Sequence, residues 1–214
     1  MNVNNELEKL YKLTPDDLKN VCVVAGHAFE NDPVMVFAYP EEQERKQKSQ
    51  YGFYMIYNYG IKYGLAYATS KNLEGITIWL PSGKVYPSTW AMMRYGAFYT
   101  MRKVGLKMKV MKRTMTIFNY QEERHKALVP FDHWYFQNIA VKPEEQGKGY
   151  GRLLISTMLK TIESDGLPVF VETNTGKAMS IYQKFGFEIL EHTIIPETDI
   201  PLWCMLKKSN RIIK

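Results

Sequence analysis

The chain has 214 residues, 45% of them hydrophobic and 23% charged, with a formal net charge of +6. That balance excludes a disordered chain and allows one folded domain, 1–214, with a substantial core. No apolar run reaches the roughly eighteen residues of a membrane span, and the first ten residues lack a secretory pattern, so a cytoplasmic location is expected.

Residues 1–13 read as a short first strand or leader. Thr14-Pro15-Asp16-Asp17 starts a helix: threonine caps, proline takes the first turn, and acids follow at the positive end. Leu18, Val21, Val24, Ala25 and Ala28 face inward, and the helix ends before Pro33, because the residue preceding a proline avoids helix. A second helix starts near Glu41, charged at first and crowded with aromatics from Tyr51 to Tyr63. These rings read mostly as packing, with a few lining an acceptor pocket. Leu65 to Thr69 and Gly75 to Leu80 form a hairpin through Ser70-Lys71-Asn72.

The net charge has an address. From Ser88 to Tyr120 there are seven basic residues (Arg94, Arg102, Lys103, Lys107, Lys109, Lys112, Arg113) and no acid. A solvated helix face is expected there, with no nucleic acid and no membrane as partner. Met101, Val104, Met108, Met111, Met115 and Phe118 recur by three and four, which predicts packing over the acceptor side or against a second subunit. Cys22 and Cys204 lie far apart and read as two reduced, buried thiols. His27, His125, His133 and His192 show no ligand spacing, so no metal is expected.

The stretch from His133 to Ile162 organises the rest. Trp134 to Val141 reads as a strand ended by Pro143. A helix starts near Gly151, with Leu153, Leu154, Met158, Leu159 and Ile162 on its apolar face. Between them lies Gln146-Gly147-Lys148-Gly149-Tyr150-Gly151, followed by Arg152. Alternate glycines let a ligand approach the backbone, and free N–H groups at a helix start attract anions. A pyrophosphate fits this loop, although GxGxG is neither the dinucleotide fingerprint nor a P-loop. Ser164 to Pro168 is a turn and Val169 to Thr173 a buried strand of the parallel kind. A helix from Lys177 to Phe185 stops at Gly186, and Phe187 to Ile195 pairs with Pro201 to Leu206 as a last hairpin.

The segment NIAVKPEEQGKGYGRLL resembles the acetyl-CoA signature of the GCN5-related N-acetyltransferase (GNAT) family, through Gln146, Gly149 and Gly151. PVFVETNTGKAMSIYQKFGFEI, Pro168 to Ile189, resembles the family's next strand, helix and closing strand. From Trp134 to Lys207, the turn Glu172-Thr173-Asn174, Tyr182, Gly186-Phe187 and Leu202-Trp203-Cys204-Met205 resemble puromycin N-acetyltransferase-like members. The resemblance implies an α/β (α+β) GNAT fold. Its twisted, mostly antiparallel mixed sheet is splayed between the fourth and fifth strands and flanked by helices, with residues 84–130 as a helical insertion. It implies acetyl-CoA as co-substrate and direct attack by a primary amine, that of a small molecule, in a ternary complex, by a monomer or homodimer. A protein or peptide acceptor, or a non-catalytic acyl-CoA-binding module, are the alternatives.

The same resemblance distributes roles. Main-chain donors on Ile139-Ala140-Val141, at a bulge, would stabilise the acyl oxyanion. The loop from Gln146 to Arg152 would hold the cofactor's pyrophosphate. Tyr182 matches the family's general acid, against the alternative of a packed core tyrosine. Glu172, costly as a charge among Val169, Phe170 and Val171, is either the base that deprotonates the amine through water or a structural carboxylate. Asn174 is the candidate for a cofactor amide contact, although Thr175 stands at the family's asparagine position. Glu30 and Asp32 lie in the turn that borders the substrate mouth in the family.

Overall fold

A computed structural model describes residues 7–104 and 108–209. Lys107 and the first residues of the expected leader or strand lie outside them. Seven strands make one sheet: β1 (Tyr11–Lys12), β2 (Leu65–Ala68), β3 (Gly75–Leu80), β4 (Trp134–Val141), β5 (Val169–Thr173), β6 (Glu188–Ile194) and β7 (Pro201–Lys207). Their order is β1-β2-β3-β4-β5-β7-β6. β4 and β5 run parallel and every other neighbouring pair is antiparallel.

The helices are α1 (Leu18–Ala28), α2 (Pro33–Ala38), α3 (Glu42–Gly52), α4 (Tyr54–Tyr63), α5 (Thr89–Met92), α6 (Phe98–Val104), α7 (Met108–Leu128), α8 (Tyr150–Ile162) and α9 (Gly176–Gln183). Side chains alternate across the sheet as the pleat requires. On one face Ile76, Ile78, Leu80 and Ala140 pack under Val21, Ala25 and Tyr57 of α1 and α4. Farther along that face, Phe170 and Cys204 pack with Val34 of α2 and Ile117 of α7. The opposite face carries Trp79, Trp134, Phe136, Val169, Val171 and Met205, covered by α8 and α9.

Several elements differ from the sequence expectation. The helix expected after Glu41 is two helices, α3 and α4, interrupted at Phe53, whose ring is buried against that of Phe29 at 5.1 Å. Tertiary packing has overridden local continuity there. A short helix, α2, follows the Asp32-Pro33 turn, with the Asp32 side chain accepting from the Val34 N–H at 2.9 Å. In α8, Leu154, Met158 and Ile162 are buried as expected, with Ile155 buried in place of Leu153, which is 42% exposed.

The stretch from Ser88 is not one helix either. A π-turn over Met93–Ala97 precedes α6, and Gly96 there has φ 133 and meets the Tyr54 ring. The inward side chains of α7 are Val110, Ile117 and His125. The methionine stripe faces outward, with Met108 72% and Met115 49% exposed. Of the two expected roles, packing over the acceptor side is not what the stripe does within this chain, since Val110, Ile117 and His125 form the buried face of α7.

Gly26 marks a close contact between two helices. A Cβ on it would stand 2.8 Å from the Gln50 backbone of α3. Backbone cannot rotate away, so Gly26→Ala is expected to lower stability by about 1–3 kcal/mol, the usual range for overpacking. Denaturant unfolding measures it, and an unchanged midpoint would contradict the contact.

Candidate active site

The sheet opens at its centre. β4 pairs with β5 only through Trp134–Val169 and Tyr135–Phe170. From Phe136 onward β4 has a partner on the β3 side alone. The β3–β4 register slips between Ile78 and Trp79, so that Ile78 faces Asn138, Trp79 faces Phe136, and Gln137 is the extra residue of a bulge. The bulge therefore lies two residues before the expected Ile139-Ala140-Val141 triplet, although that triplet does run along the unpaired edge. Asn138 is held from both sides: its Oδ1 accepts from the Tyr57 hydroxyl at 2.6 Å and its backbone carbonyl from the Thr77 hydroxyl at 2.9 Å. The Gln137 Oε1 atom is buried with no protein partner.

At the far end of β4 the glycine loop leads into α8. Gly147 and Gly149 have φ of 81 and 91, in the left-handed region where a side chain is strained, and both have open space where a Cβ would be. Gly149 is the N-cap of α8 and brings no side chain to its first-turn N–H groups. Room and free donors are what an approaching pyrophosphate requires. A Cβ on Gly151 would only touch Val141 and Ile139 at ordinary distance. The Gln146 amide donates to the Val141 carbonyl at 3.4 Å, and Lys148 forms an ion pair with Glu145 at 2.8 Å. Tyr150 opens the helix, and Arg152 is exposed on its first turn.

Tyr182, on α9, packs edge-on against Phe136, the first β4 residue beyond the seam, at 5.3 Å. Burial pushes its hydroxyl well above the ordinary tyrosine value, and the Asp32 carboxylate pushes it further. Asp32 stands on the other face of the sheet, beside α1 and α2, and Tyr182 on the α9 face. The charge of one is therefore felt by the other across the sheet. Burial raises Asp32 itself to about 6. Glu30 lies 3.9 Å from Lys46.

Glu172 is on β5, opposite Cys204. Its Oε1 accepts from the Tyr135 hydroxyl at 2.8 Å, while Oε2 is buried with no partner. Burial raises its pKa to about 7, the Tyr135 bond acting weakly in the other direction. Phe170, two residues earlier on the same strand, stacks on His125 at 4.0 Å. The His133 Nδ1–H donates to the Phe131 carbonyl at 2.6 Å, so its Nε2 accepts from His125 Nε2–H at 2.8 Å, and both rings are neutral. Burial holds both histidines below their ordinary value, His125 at about 3. Asn174 is held from two sides: its Nδ2 donates to the Pro201 carbonyl at 2.8 Å and its Oδ1 accepts from Gln121 at 3.3 Å. It ties β5 to β7 and α7.

Glu172 makes stability depend on pH. Below about 4.5, the ordinary value, the carboxyl is neutral in both states. As pH rises towards about 7 the unfolded chain releases the proton and the folded one retains it, so stability falls across that window. Glu172→Gln has no proton to release. Its melting temperature relative to the parent is expected to rise between pH 4.5 and 7.5, and a pH-independent difference would contradict the assignment.

Residues 113–189 match the model of the acetyltransferase (GNAT) domain. An uncharacterized N-acetyltransferase of Schizosaccharomyces pombe is 27% identical over 203 residues, covering 90% of this chain and 80% of that protein. A Corynebacterium glutamicum structure described as histone acetyltransferase HPA2 and related acetyltransferase superposes with a TM-score of 0.59 at 16% identity, over 96% of this chain and 98% of that one. Arylalkylamine N-acetyltransferase 2 of Aedes aegypti gives 0.59 at 10% identity, over 94% and 98%. The structural likenesses show the fold: a mixed, mostly antiparallel sheet flanked by helices, as expected. The domain match and the S. pombe relative support an acyltransferase enzyme.

Sequence reasoning placed the bulge two residues too late and missed the Tyr57–Asn138 bond and the Tyr135–Glu172 bond. Polar residues at Gln137 and Asn138, inside an otherwise apolar and aromatic strand, were the available signal.

Proposed function

We propose that this enzyme transfers the acetyl group of acetyl-CoA to the primary amine of a small molecule, by direct attack with both substrates bound. The carrying observation is the gap beyond Tyr135 and Phe170, with the glycine loop at one end of β4 and Tyr182, Asp32 and Glu172 on the elements around it. Gly147, Gly149 and the first-turn amides of α8 would hold the pyrophosphate, with Lys148 and Arg152 adding positive charge. When bound, the thioester supplies the acyl group.

The chain's own residues do the rest. Backbone donors along the unpaired edge of Ile139, Ala140 and Val141 stabilise charge developing on the acyl oxygen. Glu172 or Asp32 takes the proton from the ammonium: carboxylates raised to about 7 and about 6 are far better matched to this at neutral pH than ordinary ones. Tyr182 keeps its proton throughout the working range and would serve the departing sulfur as a hydrogen-bond donor. Two carboxylates in a low-dielectric setting also suit a cationic acceptor, and the arylalkylamine enzyme among the fold neighbours acts, by its name, on a small amine. The phrases that resemble puromycin N-acetyltransferases agree with this reaction class, whereas the acceptor-side helices α1 to α4 would set the substrate. Release of free thiol from acetyl-CoA across a panel of small amines tests the proposal. Selective turnover of one amine class supports it, and acetylation restricted to peptides would overturn it.

A further inference from the structure

The outward face of α7 is both apolar and cationic. Met108 is 72%, Met115 49% and Phe118 47% exposed, while Val110 and Ile117 anchor the opposite face in the protein. Met108, Lys109, Met111, Lys112 and Met115 line one shallow surface depression. Lys112 lies between Met108 and Met115 on the helix surface, and Lys109 flanks them. Upstream, Trp90 is 69% exposed with the Arg94 guanidinium 5.5 Å from its ring, and Phe98 is 64% exposed. No acid occurs anywhere from Ser88 to Tyr120.

We propose that this face docks on an anionic lipid surface. The occupant has to accept apolar side chains and match a run of positive charge. A second copy meeting the same face would oppose cation to cation. Nucleic acid would match the lysines and arginines but would set phosphates against dry methionine side chains. The headgroup boundary of an anionic bilayer accepts both, and flexible methionines adapt to it. The expectation of no membrane partner rested on reading the basic stripe as a solvated helix face, and the exposed methionines and aromatics beside it make that face apolar as well.

The test uses the full chain and sedimentation with vesicles of phosphatidylcholine alone or mixed with phosphatidylserine. Binding is expected only to the mixed vesicles, and it should weaken as salt rises. Lys109→Glu with Lys112→Glu is expected to weaken it at least about tenfold, each basic residue near such a surface contributing roughly fivefold. Met108→Ser with Met115→Ser should weaken it similarly. Both variants alter exposed side chains, so the circular dichroism spectrum and melting temperature should be unchanged. The proposal is overturned by no binding to mixed vesicles, by equal binding to phosphatidylcholine alone, or by variants that bind like the parent. It is equally overturned if the methionine variant instead halves the molecular mass in solution, which would identify a second copy as the occupant. Tighter binding of polyglutamate through the same side chains would identify an acidic protein and would likewise overturn it.

Discussion

Tyr182→Phe is expected to lower kcat by about 10²-fold or more, the usual range for losing a proton donor at the reacting centre. The ring makes the packing contacts, against Phe136 at 5.3 Å and Phe187 at 5.9 Å, and phenylalanine preserves both. Stability and the KM for acetyl-CoA should therefore change little. The hydroxyl is raised well above the ordinary tyrosine value by burial and by Asp32, so full proton transfer to a thiolate is less favourable than an unperturbed phenol would make it. One consequence separates a functional hydroxyl from a packed one: the loss should shrink with an acyl donor whose thiolate leaves more easily. Full turnover by the variant on a good amine would place the donor elsewhere.

Gly149→Asp is expected to abolish measurable acetyl-CoA binding, a loss of at least about 10²-fold, in a protein that still folds. The position tolerates the change structurally, since nothing stands within 4 Å of the new Cβ and the residue is a helix N-cap, where aspartate is favoured. The left-handed φ of 91 costs about 1–2 kcal/mol for a side chain, which a domain of this size survives. Function suffers far more, because bulk and negative charge enter the space proposed for the pyrophosphate and the new carboxylate caps the same amides. Calorimetry with the folded variant decides, and unchanged affinity would sink the proposed loop site.

The C-terminal half of the fold was legible because its signals are local. The aromatic strand from Trp134, the glycine loop, the amphipathic α8 and the stop at Gly186 each follow from spacing or a backbone requirement, and the neighbouring phrases carried the family resemblance. The acceptor side was harder to read. Whether Tyr57 packs or holds Asn138 depends on a bulge at Gln137, and bulges leave no periodic trace. The methionine stripe was open to two readings, over the acceptor side or against a second subunit, for a similar reason. The three–four spacing is satisfied equally by an inward and an outward face, and only the competition from Val110, Ile117 and His125 settles which one α7 buries. The Asn174 side chain bonds Pro201 and Gln121, partners that are distant in sequence and that spacing could not reveal.

The two-residue seam between β4 and β5 divides the sheet into halves, β1 to β4 and β5 to β7, joined across their middle by Trp134–Val169 and Tyr135–Phe170. Amide protons directed into the gap from the rest of β4 lack the neighbouring strand that normally slows their exchange with solvent deuterium. They should exchange faster than those directed towards β3, and a molecule bound in the gap should slow them selectively. The sheet's own architecture thus provides a built-in reporter: occupancy of the gap can be followed from exchange along a single strand, with no turnover required.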